Sequence, residues 1–285
     1  MFSTIIVGYD ESESSKAALK ESSLWVKKHG GRLFLVHAVF FDEEEFANLP
    51  TQREQRLDTG GRICKIAKET ILAEDGIDVE SLLCEGEPPE IIADVAKGKH
   101  ADLIALGTYG RKGLRRLLMG SVTAEVILNA PCDVLVVKRQ CSECTGLYSS
   151  LLVSFDGSDY SKKALQRACE LAKVDNAVVS VLYVIPRYEE MIEFFRTDSI
   201  LKSLQREADK IMAQAQAIAT QIGVSIKTHI REGHAADEII IAAERLENDL
   251  IIMGTHGWKG FSKAVMGSTT RRVITHATCP ILVVK

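Results

Sequence analysis

Gly107-Thr-Tyr-Gly110, nine further residues and then Gly120-Ser121 form a spacing at which backbone can close around an anion. The spacing recurs as Gly254-Thr-His-Gly257, nine residues and Gly267-Ser268, 147 positions later (254 − 107 and 267 − 120). Each copy follows an apolar run and opens an amphipathic one. In that strand–loop–helix setting, the free N–H groups and positive dipole end of the helix favour phosphate. Gly107 and Gly110 are expected to take positive φ and allow close backbone approach. Ser121 and Thr123, like Ser268 and Thr270, would add hydroxyl donors. The loop is not a Walker A loop, because no Lys follows the last glycine and it comes after the fourth strand. A dinucleotide fingerprint would likewise put its glycines after the first strand. The plainer alternative is a pair of tight turns that only join strand to helix.

Other reactive side chains are weighed against that loop. Asp10 and Asp156 end the first strand of each copy, facing the glycine loop if the strand order is 3-2-1-4-5. The bland reading makes them neighbours of a helix N-cap. His37 and Tyr183 sit within apolar strands and read as core residues. His256 shares its loop position with Tyr109, so no catalytic group recurs there. Trp258 is either a lid or a partner contact. The first loop carries Arg111-Lys112 and Arg115-Arg116 where the second has Trp258-Lys259 and Ser262-Lys263, a more cationic mouth. Cys141-x-x-Cys144 has metal-like spacing, but zinc needs four ligands and no second pair is near. Structural zinc shared across a dimer, a redox switch and a plain flexible linker are the three readings of that pair.

The elements that must position these residues are duplicated too. Thr4-Ile-Ile-Val-Gly-Tyr-Asp10 matches Ser150-Leu-Leu-Val-Ser-Phe-Asp156 at an offset of 146, and Val134-Leu-Val-Val-Lys138 matches Ile281-Leu-Val-Val-Lys285 at 147. A period this long means tandem domains. Runs at 3–9, 32–40, 78–84, 102–107 and 133–138 are rich in Val, Ile and Leu, as buried parallel strands are. Segments 13–28, 53–74, 88–98 and 119–129 show helical apolar spacing. The order βαβαβαβαβ implies two doubly wound, Rossmann-like α/β domains, each a five-stranded parallel sheet with helices on both faces. They are placed at 1–139 and 149–285, with a linker at 140–148. Ser12 or Ser14 and Ser158 or Ser161 are the expected N-caps, and Pro88 and Pro89 suit a first helical turn. Segments 41–52 and 185–199 diverge most between the copies. Unpaired, the last strands would be apolar edges. They are expected to pair within the chain, with further association into a homodimer.

Bulk properties narrow the class. With 285 residues, 46% hydrophobic and 26% charged, the chain has material for two cores. A net charge of −4 and a pI near 6.0 argue against a general nucleic-acid or membrane-surface binder. No apolar run approaches the ~18 residues of a membrane span. Five of the seven cysteines (Cys64, Cys84, Cys132, Cys169 and Cys279) are scattered as reduced thiols are, and a cytoplasmic location is expected.

The glycine pattern, the Asp that ends the opening strand and the closing Val-Leu-Val-Val-Lys strand together resemble the universal stress protein family, over essentially the whole chain. The resemblance implies an adenine nucleotide alpha hydrolase-like fold, ATP as ligand with Mg²⁺ through its phosphates, and dimerisation through the last strand. It places Asp10 and Asp156 at the adenosine end and the backbone of Ala38 and Val184 at adenine. Gly107, Gly110, Gly120, Ser121 and Thr123 would hold ribose and phosphates, as would Gly254, Gly257, Gly267, Ser268 and Thr270. Gly8 and Ser154 stand where a relative can have proline. The expected function is a nucleotide-dependent regulatory module in a stress response, acting on an unidentified protein partner. The alternatives are a slow ATP hydrolase, or a thiol- or zinc-dependent protein using Cys141 and Cys144.

Overall fold

The computed structural model describes residues 2–40, 50–108, 119–138, 140–186, 198–257 and 266–285. It divides into two compact units, Met1–Leu147 and Tyr148–Lys285. The first runs β1 (Thr4–Gly8), α1 (Glu13–His29), β2 (Arg32–Val39), α2 (Pro50–Asp75), β3 (Val79–Glu85), α3 (Pro88–Gly98), β4 (Leu103–Gly107), α4 (Ser121–Asn129) and β5 (Asp133–Val137). A 3₁₀ turn, Cys141–Glu143, follows. The second runs β6 (Ser150–Ser154), α5 (Asp159–Asp175), β7 (Val178–Pro186), α6 (Asp198–Ile222), β8 (Ile226–Gly233), α7 (Ala235–Arg245), β9 (Leu250–Gly254), α8 (Ser268–His276) and β10 (Ile281–Val284).

Strand order is β3-β2-β1-β4-β5 in the first unit and β8-β7-β6-β9-β10 in the second, the expected 3-2-1-4-5. The pairs are parallel, with Gly8 opposite Val36, Val7 opposite Ala105 and Gly107 opposite Val137. Ser154 lies opposite Leu182, and Val153 opposite Ile252. Helix cover on both faces explains why the central strands are uninterrupted apolar runs: Ile5, Ile6, Val7, Ile104, Leu151, Leu152 and Val153 are fully buried. Each such side chain contributes about 1.5–3 kcal/mol by leaving water. The outer strands β3 and β8 are half-exposed and carry Glu80, Glu85, Lys227, Arg231 and Glu232, charges that discourage edge-to-edge pairing.

Ser12 and Ser158 are the N-caps, accepting from the N–H of Ser15 and Ser161 at 3.3 Å. Opposite the carboxyl ends of the strands, each unit has an aspartate brace. The Asp102 carboxylate accepts from Ser3 N–H, Ser3 Oγ and Thr4 N–H at 2.9, 2.6 and 3.0 Å. Asp249 does the same for Ser149 N–H, Ser149 Oγ and Ser150 N–H at 2.7, 2.8 and 3.0 Å. Partial burial acts to raise the Asp102 carboxyl, but these bonds outweigh it and hold the group below 3.8.

The expected linker is split. Residues 140–147 belong to the first unit and Tyr148, which is buried, to the second. The segment packs on α1. Thr145 N–H donates to the buried Glu21 carboxylate at 3.1 Å, and Gly146 takes φ +62° where any Cβ would lie 2.5 Å from Trp25 N. Only glycine meets both conditions.

Candidate functional site

Winding reverses between β1 and β4, and between β6 and β9, so each unit has a crevice beyond the carboxyl ends of those strands. Asp10 and Asp156 stand at its first wall. Asp10 Oδ1 accepts from Ser12 N–H at 3.1 Å and Ser12 Oγ at 2.5 Å. Asp156 Oδ1 accepts from Ser158 N–H at 3.0 Å and Ser158 Oγ at 2.5 Å. The aspartate thus folds the chain into the N-cap, and the N-cap serine fixes the aspartate in return.

The second wall is the start of α4 and α8. Gly120 and Gly267 are the N-caps, in ordinary negative-φ backbone and with no side-chain cap bond. Their own N–H groups donate back to Thr108 and Thr255 carbonyls at 2.7 and 3.2 Å. The first-turn N–H groups of α4 and α8 therefore meet the crevice without a competing side-chain acceptor, unlike those of α1 and α5. Ser121 and Ser268 occupy the first helical position in each.

Two expectations are corrected at this wall. Thr123 and Thr270 are buried, and their hydroxyls donate to the Gly107 and Gly254 carbonyls at 2.8 and 3.0 Å. They clamp the helix start to the strand end, so those hydrogens are not available to a phosphate. Gly107 does not have positive φ, and neither does Gly254. Space is what they need: a Cβ on Gly107 would lie 2.6 Å from the Ser14 carbonyl carbon, and one on Gly254 2.6 Å from Tyr160 Cβ. Glycine here lets α1 and α5 start hard against the strand. Gly110, with Tyr109 and the Arg and Lys residues beyond it, lies outside the described residues, as does Trp258 with Lys259, Ser262 and Lys263.

The structure does bring the two loops together in the second unit. A Cβ on Gly257 would come within 2.7 Å of Asp156 Oδ2, so the glycine loop touches the aspartate of the facing strand. The third wall is β2, or β7. Val36 and Leu182 carbonyls accept from Tyr9 and Phe155 N–H at 2.9 Å, the last rungs toward β1 and β6. Backbone direction alternates along a strand, so Ala38 and Val184, two residues on, point their N–H and C=O to the same side. There β1 has ended at Gly8 and β6 at Ser154. His37 is a buried core residue, its Nδ1–H donating to the Tyr9 carbonyl at 2.7 Å.

The crevices differ behind this shared frame. In the second unit Tyr160 packs against His256 with ring centroids 5.4 Å apart and planes tilted by 45°, and His256 Nδ1 lies 3.1 Å from Thr255 Oγ1. Sequence reading singled out His256 and missed Tyr160, which lies between the two candidate N-cap serines. Cys141 and Cys144, far along the chain from either glycine loop, rest on α1: Cys144 Sγ donates to the Ala17 carbonyl at 3.3 Å and Cys141 Sγ lies 4.0 Å from that of Lys16. Among the described residues no group of three or more His, Cys, Asp or Glu side chains is placed to hold a metal ion.

The model of the universal stress protein family matches residues 1–138 and 147–285. A universal stress protein of Methanocaldococcus jannaschii is 36% identical over 141 residues, 49% of this chain and 83% of that protein. One of Mycolicibacterium smegmatis is 23% identical over 298 residues, covering 99% of this chain and 96% of its own. The crystal structure of a universal stress protein from Archaeoglobus fulgidus shares the fold, with a TM-score of 0.74 at 19% identity, over 100% of this chain and 99% of that one.

Proposed function

We propose a function from one premise: the chain belongs to the universal stress protein family. The protein is a nucleotide-binding regulatory module that holds ATP in the crevices beyond β1/β4 and β6/β9. The observation that carries this reading is the pair of glycine N-caps, Gly120 and Gly267, which open helices toward the crevice with no capping side chain. Polyphosphate would take the first-turn N–H groups of α4 and α8. Asp10 and Asp156, already turned by Ser12 and Ser158, would face the ribose, and the backbone edges of Ala38 and Val184 would read adenine. Mg²⁺ would arrive on the phosphates, with water completing its shell, since the described residues form no carboxylate cage. The same lack of paired carboxylates, and the exchange of Tyr109 for His256, make hydrolysis a side activity.

Ligand occupancy would set the shape of the divergent segments after β2 and β7, which a protein partner would read. Among the described residues no helix is long and apolar enough to cross a membrane, and none of the seven cysteines forms a disulfide. Both fit work in the cytoplasm.

ATP-binding stoichiometry tests this reading, measured on the wild type, Gly120→Val and Gly267→Val. Each variant is expected to weaken its own site at least ~10-fold, equivalent to ~1.4 kcal/mol. No ATP bound at millimolar concentration by the folded wild type overturns it.

A further inference from the structure

The Cys141-x-x-Cys144 segment lies outside both glycine loops, and the nucleotide reading leaves it unused. Its geometry is defined. Cys141 opens the 3₁₀ turn, and Cys144 N–H donates to the Cys141 carbonyl at 3.3 Å. A turn closed in this way holds its first and fourth Cα atoms within ~7 Å, and disulfides span Cα separations of roughly 4.4–6.8 Å. In 3₁₀ backbone the side chains of residues three apart also eclipse, so both project from one side of the turn. Here both do: the two sulfurs lie against carbonyls of the successive α1 residues Lys16 and Ala17. The turn is kept in shape by a capping box between Gln140 and Glu143, and anchored downstream by Thr145 and Gly146.

A metal would need more than this pair, and among the described residues none is supplied. Two thiols, one exposed and one half-buried, instead match an attacking and a resolving cysteine. We propose that Cys141 and Cys144 are a reversible dithiol–disulfide pair, and that closing it releases the sulfur contacts of this segment with α1. The oxidant is a small disulfide of the glutathione class. The Cys141 thiolate attacks one of its sulfurs, forming a mixed disulfide and expelling one glutathione thiolate, which takes the proton Cys141 lost. Cys144 then gives up its proton and attacks the Cys141 sulfur, expelling the second glutathione. Two protein thiols are oxidised and one glutathione disulfide is reduced to two thiols. The product has no S–H, so neither sulfur can donate to the α1 carbonyls any longer.

The location gives that change a reach. Lys16 and Ala17 lie within one turn of Ser14, which packs against Gly107 at the end of β4. Neighbouring groups set the rate. Burial pushes the Cys141 thiol up; Lys20 on α1 opposes this, while Glu74 and Asp75 of α2 and Glu13 of α1 reinforce it. The exchange is therefore slow at neutral pH and speeds up about tenfold per pH unit below the thiol pKa. Cys64 and Cys169, buried and pushed up to about 11, are protected.

The test is intact mass and peptide mapping of the folded chain in millimolar oxidised glutathione, then after dithiothreitol. The wild type is expected to lose two of its seven thiols and about 2 Da, with the link inside the 141–144 peptide, and to regain both on reduction. Cys144→Ser is expected to stop at one glutathione adduct on Cys141, and Cys141→Ser to form no disulfide. Circular dichroism shows that each variant is folded. A folded wild type that keeps both thiols, or variants that lose two thiols as the wild type does, overturns the proposal. Neither outcome bears on ATP binding.

Discussion

In the first domain the residue wedged against the end of β4 is Ser14; in the second, Tyr160 is wedged against the end of β9 and packs its ring at a tilt against His256. Around that difference the two crevices agree closely. Their aspartate–serine turns have the same bonds at 3.1 and 3.0 Å, and their threonine clamps measure 2.8 and 3.0 Å. What has been kept is backbone geometry, held by the same residue types in both copies. What has diverged is the side-chain wall behind it. The proposed phosphate site, made of N–H groups, would tolerate such change, because backbone donors do not depend on what lines the far side.

A second contrast lies on the helix next to the site. On α1, Lys20 reaches Asp75 at 2.6 Å and Glu74 at 2.9 Å, and Ser23 donates to the other Asp75 oxygen. The position corresponding to Lys20 in the second domain is Gln166. Asp75 is 3% exposed and Lys20 18%, so the pair exchanges little with water. The first domain therefore ties α1 to α2 by charge, and it also carries the docked Cys141–Gly146 segment on the same helix.

The largest expected effect breaks this asymmetry. Lys20→Met leaves the Asp75 charge buried with Ser23 alone and should cost about 2–3 kcal/mol, somewhat below a fully buried pair. Calorimetry should show the loss in one domain's transition, while Gln166→Met costs little. Next come the strand-end glycines. Gly107→Ala forces a Cβ against Ser14 backbone and should cost about 2 kcal/mol. Gly254→Ala should cost slightly less, since the nearest backbone atom there, the Tyr160 carbonyl carbon, is 3.0 Å from the added Cβ instead of 2.6 Å. Urea titrations that reverse this order would contradict the packing role.

The clamps should behave alike: Thr123→Val and Thr270→Val are each expected to cost about 1 kcal/mol. Unequal losses would show that the two crevices are not mechanically equivalent. The smallest effect is in the Asp102 brace. Its folded pKa lies below 3.8, so its contribution is present above that value and disappears as pH falls through the folded pKa. Asp102→Asn should lower stability by under about 1 kcal/mol at pH 7, because the site is only partly buried. The gap from wild type should shrink below pH ~4. A gap independent of pH would rule out the charge as its origin.

Much of this was legible in the chain itself. The repeat and the alternation of strand and helix follow from periodicity and spacing, and so, once the order 3-2-1-4-5 is assumed, does the meeting of Asp156 with its glycine loop, because a parallel sheet must bury both faces and its crevice must fall where winding reverses. Gly120 and Gly267 were readable as helix starts from local sequence, and the other N-caps were narrowed to Ser12 or Ser14 and Ser158 or Ser161, between which the structure chose Ser12 and Ser158. The aspartate braces were within reach too: Ser3 and Ser149 repeat at 146, Asp102 and Asp249 at 147. Only the tertiary structure decided where the Thr123 and Thr270 hydroxyls point, why Gly107 is glycine, and that residues 140–147 pack on α1. Each depends on a partner contributed by distant chain, as Asp75 is to Lys20 across 55 residues. Local spacing encodes backbone form and which residues share a face; the choice of a side chain's partner is made when separate elements come together.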